Sequence, residues 1–101
     1  MATVSSGGNF IVFDAITAGS TATLDFEDAV KRVMFDADIC ITNTDKDELF
    51  EATAGTVIEF SNIFGYPAKV PVKNTGNAGM IPRACILEYG DAVNDDYFEE
   101  V

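Results

Sequence analysis

Val33-Met34-Phe35-Asp36-Ala37-Asp38-Ile39-Cys40-Ile41-Thr42 is the stretch on which the fold turns. Val33, Phe35, Ala37, Ile39 and Ile41 place an apolar side chain at every second position, opposed by Arg32, Met34, Asp36, Asp38, Cys40 and Thr42. Successive side chains of a strand point to opposite faces, so this spacing describes a strand with one buried face. A rival pattern overlaps it, because Phe26, Val30, Val33, Met34 and Ala37 also fit a helical stripe. A helix through Phe35 would turn that ring away from the stripe, and Asp36 and Asp38 would oppose the dipole at its C-terminal end. The spacing therefore predicts a strand from about Val33, with room for a short helical turn at Glu27–Lys31.

Working outward, Ser5-Ser6-Gly7-Gly8-Asn9 closes a segment, 1–9, that reads as a flexible N-terminal arm. Phe10-Ile11-Val12-Phe13 is a short apolar run of the kind a buried strand supplies. Beyond Ala18-Gly19-Ser20, Thr21, Thr23 and Asp25 alternate with Ala22, Leu24 and Phe26, which suggests a first hairpin. Downstream, Leu49 to Thr53 is extended. Thr56 to Phe64 reads as a strong strand, with Ile58, Phe60, Asn62 and Phe64 on one side. Pro67 and Pro71 assign Ala68–Val72 to a sheet edge, since proline cannot donate to a ladder. Ile81 to Tyr89 is the last strand, with Ile81, Cys85, Leu87 and Tyr89 on one parity. The expected fold is all-β, a single domain over 10–90 built as a small antiparallel sandwich or barrel of about six to seven strands.

Composition narrows the function. Across 101 residues there are 17 acidic and 6 basic side chains, a formal charge of -11, and no histidine. The acidic balance opposes direct binding to nucleic-acid backbones and to anionic membranes. Without histidine there is no Ser-His-Asp or Cys-His arrangement and no HExxH zinc site. Cys40 and Cys85 are too few for a disulfide scaffold and read as reduced thiols. No apolar run reaches the roughly 18 residues of a membrane span, and the first residues lack a signal-peptide pattern. The chain is expected to be cytoplasmic when made and not exported by a signal peptide.

Asn43, Asp45, Asp47 and Glu48 gather hard oxygen ligands in one loop, but Lys46 sits among them and the glycine and bidentate glutamate of an EF-hand are missing. Gly76-Asn77-Ala78-Gly79 matches the GxxG loop of KH domains, but on an acidic chain and between strands. No catalytic residue, cofactor or metal ligand is assigned. The remaining candidate is the acidic tail 91–101, where Tyr97, Phe98 and Val101 are framed by Asp95, Asp96, Glu99 and Glu100. Aromatic anchors among acids are a partner-docking pattern, in which the rings fill a pocket and the carboxylates steer toward a basic rim. Packing of Tyr97 and Phe98 on the protein's own sheet is the other reading of the same residues.

In composition and strand pattern over its whole length, the chain resembles the small acidic all-β accessory proteins of tailed-phage virions, such as decoration or tail-associated proteins. No residue motif carries the resemblance, so no site residues come with it. It implies a non-enzymatic structural or assembly protein, part of a homo-oligomer or larger protein assembly and located in the virion. An acidic DNA mimic that inhibits a nucleic-acid-binding enzyme is the alternative. Its geometry would rest on alternate strand residues such as Asp36 and Asp38 lying roughly 6.6 Å apart on one face.

Overall fold

In a computed structural model describing residues 9–60 and 64–99, the alternating pattern forms eight strands. They are β1 (Asn9–Val12), β2 (Thr21–Asp25), β3 (Val30–Phe35), β4 (Ile39–Thr42), β5 (Glu48–Ala52), β6 (Val57–Glu59), β7 (Lys69–Lys73) and β8 (Arg83–Tyr89). They make two four-stranded antiparallel sheets, in the orders β1-β8-β3-β6 and β2-β7-β4-β5. The pairs β1·β8, β2·β7, β3·β6 and β4·β5 are those of one long hairpin, rolled so that β3 also meets β8 and β4 also meets β7. This is the strand order of a jelly roll, the double-sheet sandwich of two Greek keys. The all-β class expected above holds, with eight strands rather than six or seven. β1 and β2 lie in different sheets, so the expected first hairpin does not form.

Leu24, Val33, Phe35, Ile39, Ile41, Val70, Val72, Ala84 and Ile86 fill the space between the sheets. Each large aliphatic or aromatic side chain buried there contributes about 1.5–3 kcal/mol. On β8 the inward parity is that of Ala84 and Ile86. Ile81 and Tyr89, on the other parity, are exposed, while Cys85 between them is buried.

The stretch 33–42 is two strands rather than one. Asp36 and Ala37 bend the chain, and β3 and β4 lie in opposite sheets. Asp36 holds Arg83 at 2.8 Å, and Asp38 Oδ1 accepts the Ala54 N–H at 2.9 Å, so both acids anchor the turn. Because the turn has an odd number of residues, Phe35 and Ile39 both still point inward.

The helical turn at 27–31 is absent. Asp25 Oδ1 accepts the Glu27 N–H at 2.8 Å, Glu27 has φ of 69°, and Val30 and Lys31 already belong to β3. The helix-like spacing has a different cause. The register of β3 on β8 shifts between Val30 and Arg32, so that Val30, Val33 and Phe35 are all buried. A bulge switches strand parity, turning a spacing of two into three.

β7 is not an edge strand but lies between β2 and β4. The bonds Phe26 N to Ala68 O and Asn74 N to Ser20 O bracket the β2·β7 ladder. Antiparallel alternation then makes Thr23 and Pro71 a non-hydrogen-bonded pair, with the Pro71 nitrogen facing β4. On that side pairing covers only Cys40 with Lys73 and Ile41 with Val72, and it stops before Pro71. The proline ends one ladder without displacing the strand.

Connections β1–β2, β3–β4, β5–β6 and β7–β8 share one end of the sandwich, where Ile16 and Met80 exchange backbone bonds of 2.7 and 3.0 Å. The other end carries β2–β3, β4–β5, β6–β7 and the segment after β8. There Tyr66 and Val93 form a parallel bridge, and a 3-10 turn, Tyr97–Glu99, follows. The segment expected to be a separate tail thus packs on the domain through residue 98. Asn9 begins β1, while residues 1–8 of the expected arm lie outside the described residues. Of the expected strand 56–64, residues 57–59 are β6 and Phe60 is buried. Phe64 is 70% exposed, and 61–63 are outside the described residues.

Candidate functional site

The early end of the β4·β7 ladder opens a groove of about 490 Å³ at the end of the sheet, lined by Thr42 and Thr44 on one side and Lys69 and Pro71 on the other. Thr21 and Thr23 of β2 extend it, since Thr23 is the register partner of Pro71. Asp95 and Phe98, from the expected docking segment, also line it.

Lys46 reaches the groove from the β4–β5 loop. Asn43 braces that loop, its Oδ1 accepting the N–H groups of Asp45 and Asp47 at 2.9 Å each and its carbonyl accepting Lys46 N–H at 3.0 Å. Asn43 Nδ2 also donates to Asp47 at 3.4 Å. The side-chain oxygen considered for calcium therefore caps backbone. Among the described residues no group of three or more His, Cys, Asp and Glu could hold a metal ion. Lys46 itself sits at φ of 71°, in the left-handed region.

The docking residues divide by burial. Phe98 is 4% exposed and belongs to the core, edge-on to Phe60 at 6.0 Å and to Tyr97 at 4.9 Å. Tyr97 is half-buried and edge-on to Phe60 at 5.6 Å. Asp95, Asp96 and Glu99 are exposed; Glu100 and Val101 lie outside the described residues. The rings thus face the protein's own sandwich and the acids face solvent.

The cations are distributed unevenly. On the outer face of the first sheet Arg32 bridges Glu59 at 3.0 Å and Glu88 at 3.3 Å, and Lys31 adds a contact to Glu88 at 3.5 Å. Both glutamates hold the Arg32 guanidinium above its ordinary value, chiefly through the Glu59 hydrogen bond. Lys73 pairs with Glu48 at 3.1 Å and Arg83 with Asp36. Among the described residues Lys46 and Lys69 have no ion pair, and both line the groove. Asp36 and Asp38 occupy a bend with a cation and a backbone N–H as partners, so they do not form the strand-face pair that DNA mimicry would use.

Cys40 and Cys85 are free and buried on the outer faces of different sheets, beyond disulfide reach. Burial pushes the Cys40 thiol up, with Glu48 and Glu51 adding to it and Lys73 opposing. The Gly76–Gly79 loop crosses between sheets and is organised by Asn74, whose amide donates to Ile16 O at 3.0 Å and Ala78 O at 2.9 Å while its Oδ1 accepts Gly76 N–H at 3.0 Å.

A second surface was not anticipated from the sequence. Among the described residues edge strand β5 pairs only with β4, and it exposes Leu49 (38%) and Phe50 (44%) between Glu48 and Glu51. Neighbouring edge strand β6 exposes Val57 (49%). Among the described residues no helix is long and apolar enough to cross a membrane. No protein-family model, curated protein or solved structure matches the chain.

Proposed function

We propose that this chain is a non-enzymatic structural or assembly protein acting through protein–protein contacts, of the kind that decorates or attaches to a phage virion. The open edge of β5 carries the reading. Backbone groups that no described strand pairs, beside exposed Leu49 and Phe50, are a template for an added strand, and natural edges are ordinarily blunted or covered. Glu48 and Glu51 select the partner. In an antiparallel pair of two β5 strands centred between Leu49 and Phe50, each Glu48 would face Glu51 of the other copy, and like charges opposite each other are destabilising. A partner strand with Lys or Arg at those positions suits the edge better. The jelly roll serves viral capsid domains, lectins and cupins alike, so it is the edge and not the fold that supports an assembly role.

The test is co-expression with the products of neighbouring genes, followed by size-exclusion chromatography with light scattering. A complex that forms with the wild type and is lost in Phe50→Lys, with the melting temperature retained, supports the reading. Independent elution of all neighbouring products from a wild type that stays monomeric would overturn it.

A further inference from the structure

The groove beside Pro71 combines charge and hydroxyl groups in a way that the assembly reading does not use. With 17 acids to 6 bases, a base without a carboxylate partner is the unexpected condition here. Lys31, Arg32, Lys73 and Arg83 are paired, and the two bases without an ion pair among the described residues, Lys46 and Lys69, face one groove. The backbone supplies an independent observation. Lys46 is held at φ of 71°, a conformation that glycine or asparagine adopts at lower cost, and strain of this kind concentrates at ligand clamps.

We propose that this groove binds an acidic saccharide of the hexuronate class, a ring bearing one carboxylate and several hydroxyls. The carboxylate lies between the Lys46 and Lys69 ammonium groups, where hydrogen bonds are charge-assisted. Thr21, Thr23 and Thr44 offer hydroxyls that both donate and accept, matching sugar hydroxyls. Asp95, which only accepts when ionised, demands a hydroxyl donor and disfavours a second anionic group. Pro71 offers apolar surface to the C–H face of the ring. A volume of about 490 Å³ lies in the range of small-ligand sites. A bare anion would satisfy the lysines but leave Asp95 opposed by charge.

The experiment is a titration of the 15N-labelled full chain with D-glucuronate, D-glucose and acetate, read by amide shifts. Glucuronate should shift amides of 43–47, 69–70 and 95–98 saturably, whereas glucose and acetate should not. Lys69→Ala should weaken binding about tenfold or more. Lys46→Gly should weaken it similarly while raising the melting temperature, because glycine relieves the strained φ. The opposed changes in binding and stability separate a ligand role from a structural one. No shift with glucuronate, equal shifts with acetate, or wild-type affinity in Lys46→Gly would each overturn the proposal.

Discussion

Phe98→Ala tests whether the C-terminal segment belongs to the fold. The ring is 4% exposed and meets Phe60 at 6.0 Å and Tyr97 at 4.9 Å, both edge-on. Removing a buried phenylalanine loses its transfer free energy and leaves a cavity, together about 3–5 kcal/mol. In a domain of this size about 3 kcal/mol lowers Tm by roughly 12–24 °C. Tyr97→Ala, which truncates a half-buried ring, should cost less, about 1–2 kcal/mol. Asp96→Asn, on an exposed side chain, should stay within about 0.5 kcal/mol. Deleting 94–101 should resemble Phe98→Ala or exceed it, since Asn94 N also donates to Tyr66 O at 2.8 Å. Differential scanning calorimetry of the four variants gives the order directly. A Phe98→Ala melt within about 3 °C of wild type would show that the ring is not part of the core. Residues 91–101 would then behave as the detachable tail that their composition suggests.

Four further outcomes follow from particular contacts. Gly90→Ala should cost about 1–3 kcal/mol by overpacking, because an added Cβ would lie 2.3 Å from the Tyr66 ring; a neutral melt would show that the ring can move. Asn74→Ala should cost about 2–3 kcal/mol and accelerate exchange of the Gly76 amide, since three hydrogen bonds to backbone are lost. Arg32→Ala should have a small effect that vanishes in about 1 M salt, as its pairs with Glu59 and Glu88 are exposed. The Cys40 thiol, raised by burial, should react with an alkylating reagent at pH 7 at least about tenfold more slowly than in urea. Its contribution to stability is complete below the ordinary thiol range and declines as pH rises through the folded value, which alkaline melts of wild type and Cys40→Ala would show by converging.

The β class and the inward parity of most strands were determined by the sequence alone, because alternation is a local property that each segment carries wherever it packs. Val33, Phe35, Ile39 and Ile41 point inward as their spacing requires. Which sheet receives each strand was decided only in three dimensions. The bend at Asp36 and Ala37 preserves parity, so the spacing looks the same whether the chain continues along one sheet or crosses to the other. The register shift between Val30 and Val33 imitated a helical stripe for the same reason, since a bulge and a helical turn both bring residues three apart to one side. Proline removes a donor, but only the orientation of Pro71 toward β4 shows which ladder loses it. The site was hidden by distance along the chain. Composition counts Lys46 and Lys69 as two of six bases, whereas among the described residues neither has an ion pair: Glu48 turns to Lys73, and the carboxylate of Asp25, the register partner of Lys69, accepts the Glu27 N–H. Phe98 likewise stands among acids in sequence and against Phe60 in space, because the end of the sandwich exists only after both sheets have formed and offers an apolar ring a dry place to pack.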